Sequence, residues 1–432
     1  MGGKVIDTVK YILTFFITAG ILVLLLFVSV KAVPRENIRA NMEKSAEYLV
    51  SRGDSYDLIR GRLSSRIDIY ADSVLLGVVW DYDSENAVES VLWSNYYEDN
   101  EKQEKSLYNA VTENLPGNTQ YLRYWHGSIL FVRPLLTVCD IKGILSISAV
   151  LILILIGVLI ALLIRKKAVI PTIALILGLI AVSIWFVPIS LEYIWCFIIM
   201  LCSSIAVLYT KQEKTLGMVF LITGVFTSFM DFLTTETITL LVPLLLLIAV
   251  KNDHIDGDSQ FKKYAKQNLL YSVLWGIGYS GMWISKWLIA SVVLNINAFQ
   301  YVSEHIKHRT VGDTGISLDG YSGGSLRRNI GCLFPLETGT FGKIIVIAMV
   351  CIAIYIAYVY RREKINTGKV LMYFVISLLP YVRYLVMYNH SYLHCFFTYR
   401  AQITTVIALV LMMNELTDWR SIIHANAKKR KT

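Results

Sequence analysis

The stretch KGILSISAVLILILIGVLIALLIRKK, residues 142–167, decides the fold. Gly143 to Ile164 carries no charge, and the run then stops on Arg165, Lys166 and Lys167. About 20 apolar residues cross the roughly 30 Å hydrocarbon core as a helix, which satisfies its own backbone hydrogen bonds where water is absent. Basic residues just beyond such a run mark its cytoplasmic end.

The same pattern repeats on both sides. Apolar runs predict spans near 11–32, 143–164, 169–188, 191–209, 215–230, 237–250, 270–294, 343–360, 369–388 and 398–414. The clusters Lys4 and Lys10, Lys211 and Lys214, Lys262, Lys263 and Lys266, Arg361, Arg362 and Lys364, and the tail Lys428 to Lys431 all fall on the side of Arg165–Lys167. The expectation is an all-α polytopic membrane protein with about ten transmembrane helices and both termini in the cytoplasm. The run from Tyr11 to Val30 is longer than a signal-peptide core of roughly 7–15 residues, so it reads as a retained anchor. Composition agrees: 55% of the 432 residues are hydrophobic and only 17% charged, where soluble chains carry about a quarter. The net charge of +9 is then a topology signal. With no aromatic-plus-basic module beside it, nucleic acid is not an expected partner; the lipid bilayer is.

The predicted organisation is an anchor (1–33), a large extracytoplasmic loop (34–142), a polytopic domain (143–414) with a second outer loop (295–342), and a basic cytoplasmic tail (415–432). Within the first loop, Ile38, Met42, Ala46, Leu49 and Val50 recur at helical spacing and stop near Gly53. This predicts an amphipathic helix lying on the membrane or on the rest of the loop. Cys139, Cys332 and Cys395 lie near the predicted outer face, where a disulfide among them is open. The second loop adds His305, Lys307, His308, Arg309, Arg327 and Arg328, which could meet an anionic substrate or an anionic lipid surface.

Ionisable residues inside membrane helices are costly and usually face a cavity or a partner. The stretch from Leu216 to Val250 has basic residues at both ends, so it must be a hairpin with short arms. Its turn, Asp231 to Glu236, is expected below the outer surface: either Asp231 and Glu236 line a water-filled cavity, or the turn is capped by Asp and Thr. Lys286 lies deep in its span and needs an anion, which Asp231, Glu236 or a phosphate would supply. Arg383 and Arg400, with His390 and His394, could recognise a phosphate through planar, permanently charged donors. Snorkelling to lipid headgroups is the plainer alternative. Gly276, Gly278 and Gly281 could break their helix, as in a transporter.

Five short segments add a pattern: Asp68-x-x-x-Asp72, Tyr124-Trp-His-Gly127 leading to Arg133-Pro134-Leu135, Asp231-Phe-Leu-Thr234, Trp283-Ile-Ser-Lys286-Trp287, and Phe397-Thr-Tyr-Arg400. With the many spans and the large first loop, they resemble the GT-C superfamily of membrane glycosyltransferases, and within it the bacterial proteins related to O-antigen glucosyltransferases. The resemblance implies a plasma-membrane enzyme that moves a sugar from a polyprenyl-phosphate donor to a cell-envelope glycan acceptor outside the membrane. It implies Asp68 and Asp72 as catalytic carboxylates, acting as general base or holding a divalent Mg or Mn ion. It further implies Lys286, Arg383, Arg400 and Arg133 as phosphate ligands, and Asp231, Glu236, His126, His390 and His394 as cavity lining. A polysaccharide polymerase or ligase, a lipid-linked-glycan flippase and an inactive scaffold are the competing classes. Asp81-Tyr-Asp83 ranks below Asp68 and Asp72. In many members of the superfamily the acidic residue follows the first span closely; here an extra helix intervenes.

Overall fold

The computed structural model describes residues 2–251, 260–311, 318–419 and 421. The tail Lys428–Lys431 and the side chains of Lys4, Lys263, His305, Lys307, His308 and Arg309 lie outside the described residues. Helices dominate, and the described strands are the short antiparallel pair Tyr56–Asp57 and Arg66–Ile67. Among the described residues, seven helices are long and apolar enough to cross a membrane: Thr8–Ala32, Ile141–Arg165, Leu191–Tyr209, Glu213–Met230, Thr340–Val359, Thr367–Val386 and Cys395–Leu416. The predicted spans that fall outside this set correspond to shorter or more polar helices. Val169–Ala181 and Ile238–Val250 are apolar but short. Gln260–Val293 is long, 34 residues, but carries more polar side chains.

Gln260–Val293 is continuous through its glycines. Gly278 and Gly281 serve packing instead of breaking the helix. A Cβ on Gly278 would stand 2.2 Å from the Leu221 carbonyl oxygen, and one on Gly224 would stand 2.1 Å from that of Trp275. The backbones of Glu213–Met230 and Gln260–Val293 therefore touch. Close approach over small residues is how membrane helices gain packing energy when lipid is as apolar as they are.

The first loop is folded. Arg35–Arg52 buries Ile38, Met42, Ala46 and Leu49 and ends at Gly53, where φ is +72°. It covers Ile69–Asp81 together with Gln103–Glu113. Ile69–Asp81 is buried along nearly its whole length. Its Trp80 donates to the Ala110 carbonyl at 3.1 Å and lies under the guanidinium groups of Arg35 and Arg39. The resulting unit rests on the ends of the apolar helices, so its residues and theirs meet at one level.

The hairpin turn after Met230 takes the capped form. Asp231 accepts from the Thr234 backbone N–H at 3.1 Å and from the Thr234 hydroxyl. Glu236 accepts from Arg383 Nε at 2.7 Å and Nη2 at 3.0 Å. Arg383 also donates to the Leu233 carbonyl at 2.8 Å. Both side chains of the ion pair are over nine-tenths buried. The pair thus fastens the turn to Thr367–Val386. Removing one partner from a buried pair leaves a bare charge and costs about 3–5 kcal/mol, whereas replacing both with apolar groups is near neutral. Glu236→Gln should therefore lower the unfolding temperature of the detergent-solubilised protein sharply. The double variant Glu236→Leu/Arg383→Met should recover most of the loss. Equal losses in the two variants would mean the pair contributes little beyond its volume.

Candidate active site

Two helix N-termini meet where the first-loop unit sits on the apolar helices. Asp68 precedes Ile69–Asp81 with non-helical dihedrals and accepts from the Ala71 N–H at 3.1 Å, an N-cap interaction. The Ser55 hydroxyl donates to the same carboxylate at 3.3 Å. One turn later, Asp72 accepts from the Ser190 hydroxyl and the Leu191 N–H, both at 2.8 Å. Asp72 thus caps a different helix, Leu191–Tyr209. Glu192 follows immediately, and its carboxyl is within hydrogen-bonding reach of Asp68.

Asp68 and Glu192 open onto a cavity of about 560 Å³. Tyr70, Tyr96, Tyr121, Phe232, Tyr301 and Phe397 line it with aromatic rings, and His126, His390, His394 and Arg123 add polar groups. The segment that carries Arg123 and His126 is pinned from four directions. Tyr301 donates to the Gln120 carbonyl at 2.9 Å and Trp287 to the Arg123 carbonyl at 3.2 Å. Trp125 donates to the Met282 carbonyl at 2.8 Å, and the Gly127 N–H to the Phe229 carbonyl at 2.8 Å.

The polar atoms on this wall have defined characters. His126 Nε2 lies 3.0 Å from the Tyr121 carbonyl, which can only accept, so Nε2 carries the proton and Nδ1 is an acceptor. Burial pushes the imidazole down to about 3, so it is neutral at ordinary pH. Its backbone has φ +52°, a left-handed conformation that costs energy in a non-glycine residue. Burial also raises Asp68, an effect offset in part by the hydrogen bonds from Ala71, Glu192 and Ser55 and by the Arg66 charge. Arg123 stacks on Tyr121 with its guanidinium 4.1 Å from the ring centre. Gln120 Oε1, Arg123 Nε, His126 Nδ1 and Glu192 Oε1 are buried without a hydrogen-bond partner among the described residues. All four residues belong to this one cavity.

Of the residues predicted from sequence, Asp68, His126, His390 and His394 come together here. His394 stacks on Phe397 at 5.2 Å and lies 4.8 Å from His390. The remaining residues are elsewhere. Arg133 donates to the carbonyls of Val33, Val79 and Tyr82 at 2.8, 2.5 and 2.9 Å. Lys286 donates to the Val91 carbonyl at 2.5 Å, at the C-terminal end of Ala87–Trp93, and sits over the Trp125 ring. Arg400 donates to the carbonyls of Phe396, Ser64 and Phe186 between the rings of Tyr193 and Tyr399. Arg383 is held by Glu236, and Asp231 by Thr234. Apart from Arg400 Nε, which is buried without a hydrogen-bond partner among the described residues, the donors and acceptors named here face protein atoms. Asp81 accepts from the Gly117 N–H and Asp83 from that of Glu85, so this pair is committed to loop structure.

A divalent ion held jointly by Asp68 and Asp72 does not fit this arrangement, because the Asp72 oxygen already accepts two hydrogen bonds from the next helix. Among the described residues no group of three His, Cys, Asp or Glu side chains is arranged to hold a metal. The cysteines Cys139, Cys332 and Cys395 are all free thiols. Glu192 and Arg123 were not among the predicted site residues. Glu192 was signalled only as an acidic residue opening an apolar run, and Arg123 as part of the Tyr121–Gly127 segment. Comparison with protein-family models, curated proteins and solved structures finds no match to this chain.

Asp72 supports a pH prediction. Burial raises its pKa from 3.8 to about 8, against the lowering effect of the Ser190 and Leu191 hydrogen bonds. A carboxyl whose pKa is higher in the folded state gives stability that is full below its unfolded pKa. That stability is lost as pH rises through about 8. Asp72→Asn keeps an oxygen for both donors and stays neutral. Its unfolding temperature relative to wild type should climb as pH is raised from acid to mildly alkaline. A difference that stays flat with pH would show that Asp72 is ionised throughout.

Proposed function

We propose that the chain is a membrane-embedded glycosyltransferase that works on the extracytoplasmic face of a bacterial plasma membrane. It is read as crossing about ten times with both termini inside, so that the loop after the first span and the cavity face outward. The observation that carries this reading is the character of the cavity wall. Three unpartnered polar atoms on it, Gln120 Oε1, His126 Nδ1 and Glu192 Oε1, are acceptors or acceptor-capable. They are set among aromatic rings. A sugar offers the complement, with hydroxyl donors around its rim and apolar C–H faces for stacking. Pockets of this kind, largely apolar with a few convergent polar groups, are where small ligands bind.

In this reading Asp68 is the general base. Its raised pKa brings it nearer neutrality, where a base works best. It takes the proton from an acceptor hydroxyl as that oxygen bonds to the anomeric carbon. The bond from that carbon to the phosphate oxygen breaks, and the electron pair leaves with the polyprenyl phosphate. Arg123, whose Nε is unpartnered, is the cation on this wall suited to the developing phosphate charge. Glu192 shares a hydrogen bond with Asp68 and holds it in place. Asp72 is a positioning residue that fixes the start of the helix bearing Glu192.

The test uses membranes containing the full chain, a polyprenyl-phosphate-linked radiolabelled sugar, and release of polyprenyl phosphate as readout. Asp68→Asn should lower the rate by roughly 10²–10⁴-fold, the usual contribution of a positioned base. Asp72→Asn should retain most of it, because the amide oxygen preserves both cap contacts. Equal losses in the two variants would contradict the assignment of separate roles. Saturable sugar binding by wild type without turnover would make the protein a saccharide receptor, not an enzyme.

A further inference from the structure

A second cavity, of about 490 Å³, lies on the other side of the short helix Tyr388–Leu393. Tyr392 faces it, whereas His390 and His394 face the aromatic cavity. Its wall presents Arg62, Arg327 and Arg328 against one acid, Glu337. Glu337 is already engaged: it accepts from the Ser64 hydroxyl, and Arg62 Nη1 reaches it only at 4.0 Å. Its side chain is 3% exposed, while that of Arg62 is 34% exposed. Arg328 stacks on the Tyr392 ring at 4.4 Å, which fixes the guanidinium plane. Arg327 is exposed and has no acidic partner among the described residues. Gly61 and Gly331 also line the cavity, and a Cβ on either would meet nothing within 4 Å. The space in front of the arginines is therefore open to a ligand.

We infer that this cavity binds a phosphate group, held by Arg62, Arg327 and Arg328. Guanidinium groups suit phosphate because their planar donors pair with two oxygens at once. Nearby aromatic side chains indicate its depth. Trp185 and Phe334 pack edge to face at 6.2 Å and are both exposed, and Phe341 opens the apolar helix Thr340–Val359. Exposed aromatics at the end of a span mark the membrane–water interface. The phosphate is accordingly that of an anionic lipid headgroup or of a soluble phosphorylated molecule arriving at the surface. This inference does not rest on the carbohydrate reading of the neighbouring cavity.

The experiment uses the full chain, delipidated in detergent and analysed by native mass spectrometry with phosphatidylglycerol, phosphatidylcholine or inorganic pyrophosphate. Two variants are compared: Arg62→Gln/Arg327→Gln, which removes exposed or half-exposed charges, and Gly331→Val, which fills the space without altering charge. Wild type should retain phosphatidylglycerol over phosphatidylcholine, and both variants should lose roughly tenfold or more of that retention. If pyrophosphate does not displace the lipid, the source is the headgroup. If pyrophosphate binds wild type and competes, the site reads phosphate itself. Unchanged unfolding temperatures would separate loss of binding from loss of fold. Equal retention of phosphatidylglycerol in wild type and both variants, with no pyrophosphate binding, would overturn the proposal.

Discussion

The structure depends on buried cations that bind backbone carbonyls at helix ends. A helix leaves its last carbonyls without intrahelical partners, and that end carries the negative pole of its dipole. Arg133 collects such groups from the ends of Thr8–Ala32 and Ile69–Asp81 in one guanidinium. Lys286, on a long helix of the apolar bundle, reaches the end of Ala87–Trp93. Arg400 joins Ser64 of the loop to Phe186 and Phe396. Each cation links the first-loop unit to the apolar helices or fastens pieces of that unit together. The cost of burying the charge is offset because each one satisfies carbonyls that would otherwise be buried unpaired.

This explains why the site was only half legible in the sequence. Residue type and depth announce that Lys286, Arg133, Arg383 and Arg400 are special, but both a substrate phosphate and a ring of carbonyls satisfy the same donors. Carbonyls are invisible in a sequence because every residue has one. The helices were legible because length and hydropathy suffice to define them. The partner of a buried charge depends on tertiary contacts a hundred residues apart or more, as between Arg133 and Val33 or Lys286 and Val91.

The carboxylates show a second limit. Spacing of i,i+4 puts two side chains on one helix face only when both residues are helical. Asp68 is the N-cap, with φ −95° and ψ 82°, so its side chain folds back over the first turn. Asp72 lies inside the helix and projects to the neighbouring N-terminus at Leu191. The pattern Asp68-x-x-x-Asp72 therefore sends its two acids to different places, and the partner that meets Asp68 is Glu192, over a hundred positions away.

That arrangement has an electrostatic logic. Two helix N-termini, those of Ile69–Asp81 and Leu191–Tyr209, point their partial positive charge into the region where Asp68, Asp72 and Glu192 gather. Three acids so close would repel one another if all were ionised, and the dipoles favour negative charge there. Asp72 sets the geometry, because capping Leu191 fixes the first turn of that helix and with it the direction of Glu192. The same cap thus serves fold and site at once. Of the three acids, Asp68 and Glu192 line the cavity, whereas Asp72 is turned away to the cap of the neighbouring helix.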